Sequence, residues 1–147
     1  MKTPVREILS QKGHAIVTIA PSATVYEAIQ TMVEKNVGSL IVQNAHGKMA
    51  GIFVERDCFR KVILAGKEAK KTLVKDVMTK KVVVATPEMN VDECMAMMTD
   101  KRIRHLPVVD AEGKLVGVIS IGDLVKFVSA EQEAMIKNLE KYIEGSL

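Results

Sequence analysis

The chain repeats itself. Val37-Gly38-Ser39-Leu40-Ile41-Val42 aligns with Ile103-Arg104-His105-Leu106-Pro107-Val108, and the offset of 66 residues (37 to 103) then holds without gaps in both directions. Pro21 falls on Pro87, Val25 on Val91, Glu27 on Glu93, Met32 on Met98 and Lys35 on Lys101. Further on, Gly47-Lys48 falls on Gly113-Lys114, Gly51 on Gly117 and Asp57 on Asp123. Glycine, proline and aspartate report special backbone angles and caps rather than bulk hydrophobicity, so their coincidence at one offset marks a duplicated fold. A preamble repeats with a slip: Val5-Arg6-Glu7-Ile8-Leu9-Ser10 matches Val74-Lys75-Asp76-Val77-Met78-Thr79 at an offset of 69 (5 to 74). The first copy therefore carries three extra residues near Gly13-His14-Ala15.

Each copy reads β-α-β-β-α. Ile16–Ile19 and Val82–Val84 are short β-branched runs, expected as strands, and Pro21 and Pro87 end them. Thr24-Val25-Tyr26-Glu27 has the pattern of a capping box, with the Thr hydroxyl capping the helix start and Glu27 reaching back; Asn90 to Glu93 takes that part in the second copy. The helices that follow should bury Val25, Ala28, Ile29, Met32 and Val33, and Val91, Met95 and Met98, at helical spacing. A hairpin comes next, with turns at Asn44-Ala45-His46-Gly47 and Asp110-Ala111-Glu112-Gly113 and a helix opening after each second strand. A unit of this size is marginal alone. The expected fold is therefore α/β (α+β): two tandem β-α-β-β-α units packed with pseudo-twofold symmetry. Residues 1–69 form the first repeat, 70–130 the second, and 131–147 a helical extension.

Composition narrows the function. Trp is absent and aromatics are few, so the core must be aliphatic. Lys+Arg 21 against Asp+Glu 18 gives a net charge of +3, too balanced to announce a nucleic-acid binder. The local excess from Lys67 to Lys81 reads as a solvated linker helix, with a lysine near a phosphate as the rarer alternative. Cys58 and Cys94 have no paired spacing, the N-terminus has no apolar leader, and no run approaches 18 apolar residues. A cytoplasmic protein without a membrane partner is expected. No catalytic motif, phosphate loop or metal-ligand spacing is present, and His14, His46 and His105 lie far apart, so an enzyme is not expected.

The pattern β-α-β-β-α, the segment RHLPVVDAEGKLVGVISIGDL and its looser first copy at GIFVERD together resemble a tandem pair of CBS domains, over about Val5 to Val128. The resemblance implies a regulatory, non-enzymatic protein that needs no cofactor. It would bind an adenosine-containing ligand such as AMP, ADP, ATP or NAD(H) in clefts between the repeats, as a homodimer acting on an unknown effector protein. The family's ribose motif, Gly-x-x-Ser/Thr-x-x-Asp, appears in full as Gly117, Ser120 and Asp123. A carboxylate can accept hydrogen bonds from both ribose hydroxyls, and these groups open a helix, where anions are favoured. In the first copy the motif is Gly51, Val54 and Asp57, without the hydroxyl.

By the same resemblance, Asp57 should face Arg104, His105, Leu106 and Pro107 with Arg56 and Arg102 as helpers, the basic groups taking phosphate. Asp123 should face Gly38, Ser39, Leu40 and Ile41, with Thr18 and Ile19. Val84, Ala85, Ile19, Ile41 and Pro107 are the expected apolar surroundings of the rings. One cleft then has charge and the other the full sugar motif, so they should differ in affinity. After Asp123 the helix is expected to run to about Glu144, where Ile121, Val125, Val128, Gln132, Met135, Leu139 and Tyr142 form a short heptad seam. Rival readings are a dimerisation scaffold with vestigial clefts and an RNA- or DNA-binding protein of this family.

Overall fold

The computed structural model describes residues 2–146. The elements in order are α1 (Val5–Lys12), β1 (Thr18–Ile19), α2 (Val25–Lys35), β2 (Ser39–Gln43), β3 (Met49–Val54), α3 (Glu55–Cys58), α4 (Val74–Val77), α5 (Val91–Lys101), β4 (His105–Val109), β5 (Leu115–Ser120) and α6 (Ile121–Ser146). A π-type turn, Phe59–Ile63, continues α3, and a 3-10 turn spans Ala69–Lys71.

These elements form two compact units that do not coincide with the sequence repeats. One unit is Ala15–Val83; the other joins Met1–His14 to Val84–Leu147. Each preamble thus belongs to the unit built by the other copy. The reason is a matched set of backbone bonds. Val74 N–H donates to Ala23 O (2.9 Å), Lys75 N–H to Pro21 O (3.0 Å), and Val25 N–H to Thr72 O (2.8 Å). In the other unit, Val5 N–H donates to Met89 O (2.7 Å), Arg6 N–H to Pro87 O (3.0 Å), and Val91 N–H to Thr3 O (3.0 Å). The free N–H groups at the start of each preamble helix are satisfied by the turn that precedes the other copy's long helix. α4, which belongs to the second sequence repeat, completes the compact unit that begins at Ala15.

In the Ala15–Val83 unit the sheet order is β1-β2-β3, with β1 parallel and β3 antiparallel to β2. Val25, Ala28 and Met32 of α2 pack with Leu40, Val42, Phe53, Val62, Val74 and Val77 in its core. Thr24 caps α2 by accepting from Glu27 N–H at 3.2 Å, but the Glu27 carboxylate meets the Thr24 hydroxyl rather than the backbone. Val33, expected inside, is 74% exposed: it sits about 140° around the helix from Ala28, off the buried face.

In the other unit the named strands form a two-stranded sheet, β4-β5. The strand expected at Val82–Val84 is reduced to a single bridge between Ala85 and Val108. The cause is one residue. In the first copy Ile41 N–H donates to Val17 O at 3.0 Å. Its counterpart at the same offset is Pro107, which has no N–H to offer Val83. Asn90 Oδ1 caps α5 from Glu93 N–H at 2.8 Å. Cys94, wholly buried on α5, takes a core place that the sequence reading gave to Met95. α2 and α5 both end on a left-handed residue, Asn36 (φ 53°) and Arg102 (φ 54°).

The lysine-rich stretch is a 3-10 turn followed by the four-residue α4, not one linker helix. Its lysines are exposed, with Lys71 paired to Glu68 and Lys70 lying 4.8 Å over the Tyr26 ring.

Candidate functional site

The two motif carboxylates do the same first task. Each lies at the third position of the helix that follows a hairpin, and each folds back on the residue before that helix. Asp57 Oδ2 accepts from Val54 N–H at 3.0 Å, and Asp123 Oδ2 accepts from Ser120 N–H at 2.8 Å. Ser120 returns the bond by accepting from Asp123 N–H at 3.2 Å, which closes a reciprocal cap; Val54 has no hydroxyl to do so.

Their surroundings then diverge. Asp57 is filled: its Oδ1 accepts from the Thr79 hydroxyl and from Lys61 Nζ, each at 3.0 Å, and its side chain is 5% exposed. Asp123 is 23% exposed, and Lys12 Nζ meets it at 2.6 Å on Oδ2, the oxygen that Ser120 N–H already uses. Lys12 also donates to Val118 O at 2.6 Å. Partial burial of Asp123 by itself would raise its pKa. The Lys12 ammonium, together with the Ser120 N–H and hydroxyl, outweighs that and holds the carboxyl below its ordinary value.

Each carboxylate therefore meets the other copy's preamble. The same preambles explain the motif glycines. A Cβ on Gly51 would lie 2.7 Å from Thr79 O and 2.9 Å from Met78 Sδ; one on Gly117 would lie 2.7 Å from Leu9 Cδ2. The glycines make room for chain packing, a role that the sequence reading did not give them. In the first unit the contact is backbone pairing, with Ile52 N–H to Thr79 O (2.9 Å) and Thr79 N–H to Ile52 O (2.8 Å). In the second, side chains replace it: Lys12 on Val118 O and His14 Nδ1 within 2.9 Å of Val116 O, alternate residues of β5. The three extra residues near Gly13 are what put the first preamble out of step.

The other residues singled out in the sequence divide by unit. Thr18, Ile19, Gly38, Ser39, Leu40, Ile41 and Arg56 share the Ala15–Val83 unit with Asp57. Val84, Ala85, Arg102, Arg104, His105, Leu106, Pro107 and Ser120 share the other with Asp123. Thr18 pairs with Ile41 and Ile19 with Val42. The side chains of Leu40, Ile41, Ala85, Leu106 and Pro107 are buried. Gly38 O accepts from Glu55 N–H (3.3 Å) and Arg104 O from Ile121 N–H (2.9 Å), so these matched positions tie strand to helix. The Arg56, Arg102 and Arg104 side chains are exposed; Arg102 is the left-handed end of α5. Lys12, Lys61 and Thr79 were missed, although Thr79 stood in the aligned preamble.

Cys58 and Cys94 are free and buried. Burial raises both thiols, and burial with the nearby Glu93 charge pushes Cys94 up to about 11, so neither is a reactive thiolate at neutral pH.

Comparison with known proteins agrees with the duplicated architecture. The CBS domain family model matches residues 5–64 and 74–130. The mitochondrial CBS domain-containing protein CBSX3 of Arabidopsis thaliana is 38% identical over 97% of this chain and 73% of its own. A solved candidate signal-transduction protein with CBS domains from Burkholderia ambifaria is 48% identical, with TM-score 0.84, over 88% of this chain and 96% of the other. The CBS domain pair of protein MJ0100, solved with 5-methylthioadenosine and S-adenosyl-L-methionine, is 25% identical, with TM-score 0.76, over 89% of this chain and 99% of the other.

Proposed function

The chain belongs to the CBS domain family as a tandem pair, and on that premise we propose that it is a non-enzymatic sensor of an adenosine-containing ligand, gripped through the ribose by Asp123. The observation that carries this reading is the Asp123 carboxylate, more exposed than that of Asp57 and capped by Ser120 at the start of α6. Such a group can accept from a vicinal diol while the helix N-terminus favours its negative charge. The MJ0100 pair, solved with two adenosine compounds, supports that ligand class. Asp57 favours a different reading for the first motif. Its carboxylate is buried and shared among Val54, Thr79 and Lys61, which is a structural task. The chain then has one ribose grip, not two.

The output is conformational. A ligand shifts an equilibrium only by its differential affinity for the two states, so the sensor must present a different surface with and without it. The C-terminal half of α6 is a suitable surface. Met135, Ile136, Leu139, Tyr142 and Ile143 are exposed on one face of the helix. We read that stripe as the contact of a homodimer, which an effector protein then meets.

A thermal-shift panel tests the reading with adenosine, AMP, ADP, ATP, NAD, NADH and S-adenosylmethionine. A ligand at a hundredfold over its dissociation constant adds about 2.7 kcal/mol, roughly 6–10 °C for a domain of this size. At least one of the panel should produce such a shift, and Asp123→Asn should abolish it. No shift with any of the seven would overturn the proposal.

A further inference from the structure

The structure points to a second role for the ion pair on Asp123. We propose that Lys12 is a built-in competitor of the ligand: a bound riboside takes the carboxylate from the Lys12 ammonium and thereby releases the segment that joins α1 to the next unit. This rests on Asp123 being the ribose grip.

The argument starts from what the carboxylate has left to give. A ribose diol brings two O–H donors side by side, and its best grip places one on each carboxylate oxygen. Oδ2 already accepts from Ser120 N–H at 2.8 Å, and Lys12 Nζ adds a charged donor at 2.6 Å. A neutral diol cannot match an ammonium at that oxygen while the ammonium stays. One of the two must yield.

Lys12 is placed to yield. It is the last residue of α1, and its side chain is 35% exposed. Val5, Ile8 and Leu9 hold α1 in the core, so Lys12 can leave without exposing them. Its other bond, to Val118 O, is also an edge contact that water can replace. Asp57 shows the contrast. Thr79, which holds its Oδ1, is tied to Ile52 by two backbone bonds, and no surface movement can free that carboxylate.

Release of Lys12 has a consequence along the chain. Gly13 follows it with φ +103°, and a Cβ there would meet nothing within 4 Å. His14, resting on Val116 O, is the last residue before the chain enters the Ala15–Val83 unit. Lys12 and His14 are thus the two side chains that pin this junction to β5. Losing Lys12 leaves, among the described residues of this junction, the His14 contact to β5, so occupancy of Asp123 is read out in the mobility of the segment after α1.

Two measurements with adenosine, which carries no phosphate to attract Lys12, test this. Calorimetric titration compares the full-length native chain, Lys12→Met, Lys12→Gln and Asp123→Asn, each checked for folding by its melting curve. Removing a partly exposed ion pair should tighten adenosine binding about two- to fivefold in Lys12→Met and Lys12→Gln. Added salt should strengthen binding to the native chain and leave the Lys12 variants unmoved, because screening weakens only the competitor. The second measurement is tryptic cleavage after Lys12, which adenosine should accelerate. Equal or weaker binding by the Lys12 variants, or cleavage unchanged or slowed by adenosine, overturns the competitor while leaving Asp123 as the grip. Absence of adenosine binding in native chain and variants alike overturns both.

Discussion

At the scale of single residues, the two copies of one motif have separate fates, and the cause is what the opposite preamble puts beside them. Gly51 lies under the Thr79 carbonyl, which is backbone and cannot retreat cheaply. Gly117 lies under the tip of Leu9, which can rotate. Gly51→Ala should therefore cost about 2–3 kcal/mol and Gly117→Ala about 1 kcal/mol, read from denaturant titrations. Equal costs would mean that the preambles are not what these glycines accommodate. The repeat made both glycines visible as special positions, but the resemblance directed them toward a ligand. The packing partners lie in a segment whose alignment slips by three residues.

Asp123 adds a pH signature. Its folded pKa is depressed, so its charge stabilises the fold above the unfolded value of about 3.8 and ceases to do so as pH falls through the folded value. Asp123→Asn should be less stable than the native chain at pH 7, and the gap should shrink below pH 4. A gap independent of pH would place the Asp123 contribution in its cap rather than its charge. Lys12 itself was invisible in the sequence: its partner is 111 positions away, and nothing in its neighbourhood marks it as other than a helix-end cation.

At the scale of elements, the two long capped helices were legible, whereas of the two short opening strands the first formed at Thr18–Ile19 and the second did not. The capping residues Thr24 and Asn90 stand where the helices begin. A strand of two residues has no such marker. Its existence depends on whether its neighbour can donate, as the contrast between Ile41 and Pro107 shows. Ile41→Pro should remove the bond to Val17 and destabilise the chain by about 1–3 kcal/mol, with loss of amide protection confined to β1 and β2. Loss spread evenly over the unit would contradict a local effect.

α6 shows the reverse case. The helix was expected, but its buried residues, Leu124 and Phe127, lie off the expected heptad seam, and Ile136 and Ile143 widen the exposed stripe of its second half. Because that half of the helix is exposed, Leu139→Glu should leave the melting temperature of dilute protein unchanged and lower the sedimentation coefficient at high concentration. An unaltered sedimentation profile would remove α6 from the homodimer contact.

At the scale of the whole molecule, repetition in sequence is not modularity in structure. Each compact unit borrows a helix from the other copy, so the chain passes between units twice, near His14 and near Val83. The borrowing was not legible because each preamble sits beside its own copy in the chain, and only the long-range bonds to Pro21, Ala23, Pro87 and Met89 reassign it. A fragment of residues 15–83 should unfold cooperatively on its own, whereas residues 1–69 should not, since without α4 they leave the face around Val25 and Phe53 uncovered. The same exchange gives the preambles their hold on the motif carboxylates, and on it rests the proposed division into one structural and one ligand-gripping aspartate. Counting adenosine molecules bound per chain by equilibrium titration tests that division most directly. The account predicts one, lost in Asp123→Asn and kept in any folded Asp57→Asn variant; two per chain, or one that survives Asp123→Asn, would contradict it.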